Sequence, residues 1–104
     1  MSDFEHTQTE PGHLALAGDM NIFAAHAMKD VLLDNLNATD ILKLDLSGVT
    51  EIDTTGIQLL LLLQKEAERR DKQVHVLALS PAVQQVVSLL KLEASLGHVS
   101  IVWS

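Results

Sequence analysis

The sequence predicts a single α/β domain with a mixed four- to five-stranded sheet and helices packed against it. Three observations carry that prediction. The 104 residues are about the size of one ordinary domain, with room for a single core. Stretches of alternating apolar residues take turns with stretches whose apolar residues recur at helical spacing, in the order strand, strand, helix, strand, helix, strand, helix, strand. No repeat, low-complexity tract or linker divides the chain, so residues 1–104 are expected to form one domain.

The first strand falls on Phe4 to Thr9. Pro11-Gly12 turns the chain into His13-Leu14-Ala15-Leu16-Ala17, which alternates as a second strand and is expected to end at Gly18-Asp19. From Ile22 to about Asn37 the apolar positions Ala25, Met28, Leu32 and Leu36 form one helical stripe, with Lys29, Asp30 and Asp34 left to solvent. Leu42, Leu44 and Leu46 share one face of the next strand, opposite Ile41, Lys43 and Asp45. Ser47 to Ile52 reads as a link. Thr55 to about Asp71 reads as the longest helix, and Gln73 to Leu79 as a strand.

Ser80-Pro81 opens the last helix: Ser accepts backbone N–H bonds as a cap, and Pro suits the first helical position, whose N–H is unpaired in any case. That helix is expected to reach about Lys91 and to bury Val83, Val86, Val87 and Leu90. Gly97 and then Val99 to Trp103 suggest a final strand.

Composition narrows the function classes. The formal charge is −7; residues 1–40 hold seven acidic side chains against Lys29 alone, and residues 41–104 hold seven against six basic ones. The one basic cluster, Lys65, Arg69, Arg70 and Lys72, is diluted by Glu66, Glu68 and Asp71. It suits a solvated helix end better than a phosphate-binding surface, so direct nucleic-acid binding is not expected. The longest apolar block, Leu59 to Leu63, is far short of the roughly 20 residues of a membrane span, so no membrane insertion is expected. Without cysteines or a signal-peptide pattern at Met1-Ser2-Asp3-Phe4, a cytoplasmic location follows.

The chemistry concentrates in Ile52-Asp53-Thr54-Thr55-Gly56-Ile57, where a loop becomes a helix. A helix start carries about four unpaired backbone donors and a partial positive charge, so a phosphoryl group on a threonine there would find donors already in place. Such a group adds roughly −1.5 to −2 charges, enough to repel an acidic or apolar partner. Gly56 would leave backbone open to a docking partner. The plain alternative is that Asp53 or Thr54 simply caps the helix.

The run Leu44-Asp45-Leu46-Ser47-Gly48-Val49-Thr50-Glu51-Ile52-Asp53-Thr54-Thr55-Gly56-Ile57-Gln58-Leu59-Leu60-Leu61 closely resembles the signature of STAS domains. In these, an LDLS strand and an I-D-[ST]-[ST]-G motif lead into a leucine-rich helix. The likeness extends through Gly18-Asp19-Met20, Lys72-Gln73-Val74-His75-Val76, Ser80-Pro81-Ala82-Val83 and Leu89-Leu90-Lys91-Leu92.

The resemblance to anti-sigma factor antagonists implies a protein-interaction module, not an enzyme. Thr55 would be its phosphorylation site, with Thr54 as the alternative, and Asp53, Thr54, Thr55, Gly56, Gln58 and Leu59 would contact an anti-sigma factor kinase. The acceptor is Thr where those antagonists usually carry Ser. Other STAS branches imply a constitutive subunit docking on a lipid-asymmetry ABC transporter ATPase, where Thr54 is the sensitive hydroxyl, or on a chemotaxis signalling complex.

Independently, five consecutive leucines set about 100° apart sweep a full turn and cannot all face the sheet. Either a neighbouring helix covers the remainder, or a partner or second copy of the chain does. His6, His13, His26, His75 and His98 lack metal-ligand spacing, and no nucleophile elbow, Rossmann fingerprint or P-loop occurs, so neither metal nor cofactor is expected. Trp103 reads as a packing residue.

Overall fold

The computed structural model describes residues 3–89. The chain runs β1 (Glu5–Glu10), β2 (His13–Met20), a 3-10 turn (Ile22–Ala24), α1 (Ala25–Asn37), β3 (Ile41–Ile52), α2 (Thr54–Arg69), β4 (Gln73–Leu79) and α3 (Pro81–Leu89). The described sheet has four strands in the order β1-β2-β3-β4; β1 pairs antiparallel with β2, and β2, β3 and β4 are parallel. The fold is thus the mixed α/β domain that the apolar patterns predict. Leu90 and the strand expected at Val99–Trp103, with His98, lie outside the described residues.

Helices α1 and α2 each carry the chain between neighbouring parallel strands and touch each other, as two crossovers of the same hand on one face of the sheet do. That face holds the core. Leu14, Leu16, Leu42, Leu44 and Val76 of the strands meet Met28, Leu32 and Leu36 of α1 and Ile57, Leu60 and Leu63 of α2. The opposite face carries exposed Lys43 with half-buried Asp45, His13 and His75. Every residue of β1 is exposed, as a polar edge strand should be.

Three expectations need correction. Gly18-Asp19 does not end β2: the strand continues to Met20, with Gly18 held at a φ of 80°. A Cβ there would stand 1.8 Å from the Asp3 carbonyl oxygen, so the missing side chain lets the N-terminal segment cross the strand. The expected link from Ser47 to Ile52 is strand, because the prolonged β2 gives it partners: Gly18 is opposite Val49 and Met20 opposite Ile52. The first helix starts later than expected, since Ile22–Ala24 form a 3-10 turn capped by Asn21, whose side-chain oxygen accepts from Phe23 N at 3.0 Å.

The last helix follows expectation at its start. Ser80 Oγ accepts from Val83 N at 3.2 Å and Val83 and Val87 are buried, with Val86 half-buried.

Candidate functional site

Asp53 is the N-cap of α2. Its backbone is extended (φ −112°, ψ −174°), and one carboxylate oxygen accepts from Gly56 N at 3.1 Å. The other accepts from Ile22 N at 3.0 Å, while Asp53 N donates to the Met20 carbonyl at 3.2 Å. One residue therefore ties the end of β2, the 3-10 turn and the start of α2 together. Both carboxylate oxygens are engaged by backbone N–H groups, an arrangement suited to holding geometry rather than to taking a proton from a substrate.

Around that anchor the predicted residues divide. Thr54 and Gln58 are exposed, Thr55 and Leu59 half-buried, and Gly56 and Ile57 buried. The N–H groups of Thr54 and Thr55 have no acceptor among the described residues. Gly56 faces inward: a Cβ there would lie 2.5 Å from the Met20 carbonyl oxygen and 2.8 Å from Ile52 Cγ1. The expectation that Gly56 clears a path for a docking partner is thereby corrected; it lets the first turn of α2 settle on the ends of β2 and β3.

In the leucine run, Leu60 and Leu63 are buried, Leu59 and Leu61 half-buried, and Leu62 is 39% exposed. One leucine does point away from the core, beside Leu33 and Leu59 in the seam between α1 and α2.

Two residues at the site were not singled out from sequence. Ile22 is 63% and Phe23 95% exposed, and Ile22 is the residue whose N–H binds Asp53. Phe23 stands two residues before Ala25 and five before Met28, off the helical stripe, and that mismatch was the available signal. The site thus combines two hydroxyls, unpaired N–H groups at a helix start and a pair of exposed apolar side chains. Such a surface can bind a protein and can accept a phosphoryl group.

Among the described residues no group of three or more His, Cys, Asp or Glu is arranged to hold a metal ion, and no helix is long and apolar enough to cross a membrane. His6 and His26 are exposed, and His13 and His75 half-buried.

The model of the family described as Mlab, STAS domain, matches residues 4–100. Curated protein sequences contain no match. Among solved structures, the chain is similar to an anti-sigma factor antagonist from Mycobacterium paratuberculosis, with 16% identity over 95% of this chain and 85% of that one and a TM-score of 0.79. The Bacillus cell fate determinant SpoIIAA in its phosphorylated form is 14% identical over 98% of this chain and 91% of that one, with a TM-score of 0.67. A sulfate transporter family protein from Wolinella succinogenes is 19% identical over 93% and 80% of the two chains, with a TM-score of 0.64. At these identities the likeness is one of fold.

Proposed function

This chain belongs to the STAS family, and on that premise we propose that it is a cytoplasmic protein-docking module that acts by binding, without catalysis, through the first turn of α2. One observation carries the reading: exposed Thr54 and half-buried Thr55 sit beside exposed Ile22 and Phe23 on a helix start that Asp53 holds rigid. The partner is an anti-sigma factor kinase, which Asp53, Thr54, Thr55, Gln58 and Leu59 meet and Gly56 supports from beneath. Phosphorylation of Thr55, or of the more exposed Thr54, releases it.

The added charge of roughly −1.5 to −2 would be met by N–H groups that already lack partners, so the domain stays folded while the apolar docking surface is spoiled. The existence of a phosphorylated form of SpoIIAA, which shares the fold, supports this reading.

Incubation with the cognate kinase and ATP, followed by mass spectrometry, should place phosphate on Thr55 or Thr54, and Thr55→Asp should abolish capture of the kinase. An unmodified chain, or full binding by both Thr55→Asp and Thr54→Asp, would remove the switch. The family description as Mlab, STAS domain, favours a second reading, in which the same surface docks constitutively on a lipid-asymmetry ABC transporter ATPase. Co-purification of that ATPase, undiminished by Thr55→Asp, would select it; a chemotaxis component captured in the same way would select that complex instead.

A further inference from the structure

A groove of about 530 Å³ opens beside the docking turn, between the N-terminal segment and the start of α1. It exists because Gly18 lets the backbone of Asp3 cross β2 closely, bringing Asp3 and Phe4 alongside Asp19. Phe23 forms another wall, and small Ala24 and Ala27 leave the helix side open. Asp19 is 8% exposed. One of its oxygens accepts from Thr50 Oγ1 at 3.0 Å; the other has no hydrogen-bond donor among the described residues, although Asp19 lines the groove. No buried side-chain nitrogen or oxygen among the described residues lacks a partner, so this second oxygen is open to the groove, where an entering cation can pair with it.

Among the described residues no lysine or arginine lines the groove, and Lys29 is the only lysine or arginine among the first 40. Two carboxylates and two phenyl rings, one of them 95% exposed, match a planar cation that can donate to a carboxylate in its own plane and lie against a ring with its face.

We propose that this groove receives an arginine side chain of the protein docked at the start of α2, its guanidinium donating to Asp19 and lying against Phe23. The proposal rests on the docking reading for the source of the arginine. Phe23 and Ile22 are neighbours in the chain and Ile22 N is held by Asp53, so the groove wall and the start of α2 are joined through adjacent residues that one partner can span.

The test is a titration of the full chain with N-acetylargininamide followed by amide NMR shifts, with N-acetylcitrullinamide as the uncharged analogue of the same shape. Saturable shifts at Asn21, Phe23, Ala24 and Ala27 are expected, weakened about tenfold by either Asp19→Asn or Phe23→Ala. Asn keeps an acceptor for Thr50, and Phe23 is almost wholly exposed, so both variants should fold.

Equal shifts with the citrulline analogue, shifts spread evenly over Glu5, Glu10, Asp30 and Asp34, no shifts, or wild-type affinity in both variants would each overturn the proposal. Because the titration needs no partner, its failure leaves docking at Thr54 and Thr55 standing, and failure of that docking in the kinase experiment leaves the titration intact.

Discussion

The two ends of α2 are built in opposite ways. At the C-terminal end the carbonyls are closed off: Lys72 N donates to the Ala67 carbonyl at 2.7 Å and Asp71 N to the Glu68 carbonyl at 3.2 Å, a Schellman arrangement with Asp71 at a φ of 56°. Arg69 and Arg70 both pair with Glu66, Arg70 also donates to the Asn37 side chain, and Lys72 Nζ donates to the Leu36 carbonyl at 2.8 Å. The cations thus sit on the negative ends of two helices, α1 and α2, and staple them together. At the N-terminal end a single carboxylate does the holding, and two hydroxyls, free N–H groups and apolar side chains face outward. Arg69, Arg70 and Lys72 of the basic cluster are occupied with closing helix ends, and the polar groups left open lie at the other end of α2.

Substitutions can break that contrast in order of expected size. Gly56→Ala should cost the most, about 1–3 kcal/mol by denaturant unfolding, because its methyl must displace the Met20 carbonyl or Ile52. Asp53→Ala follows at about 1–2 kcal/mol, with faster amide exchange at Ile22, whereas Asp53→Asn, which has a single acceptor oxygen, should keep the Gly56 contact, lose the Ile22 contact and fall between; equal losses in the two would mean that the contact to Ile22, not the helix cap, holds the turn.

At the closed end, Asp71→Gly should stabilise by about 0.5–1 kcal/mol, since glycine occupies the left-handed region without strain. No gain in its unfolding midpoint would indicate that the Asp71 side chain compensates.

The smallest effect concerns Glu66, whose carboxyl is held below its ordinary range chiefly by its hydrogen bond with Arg69, and further by the charges of Arg69 and Arg70. Its folded-state pKa is lowered, so its contribution is present above the ordinary carboxylate range and disappears as the pH falls through the lowered value. Glu66→Gln should therefore be less stable than wild type at neutral pH and equal to it in acid. A difference that persists in acid would trace to packing.

Much of the candidate site is legible in the amino-acid sequence, but in two unequal parts. The motif Asp53-Thr54-Thr55-Gly56 marks the place, and capping chemistry already offers Asp53 as a helix cap. What local reasoning misses is direction: Gly56 turns inward, with nothing in the neighbouring residues to say so, and Phe23 turns outward, with only its offset from the helical stripe as a sign. The Asp53 contact to Ile22 spans 31 positions and is invisible to any local pattern.

The sequence by itself determined the order of elements, the leucine face at Leu42, Leu44 and Leu46, the bounds Gln73–Leu79 of β4 and the Ser80-Pro81 start of α3. Each depends on periodicity or on hydrogen bonds between near neighbours, which a chain carries with it. Only the tertiary structure decided that β2 runs through Gly18 and that β3 continues to Ile52. A strand's backbone groups are satisfied by another strand, so its length belongs to the pair, and each strand here extends because the other does.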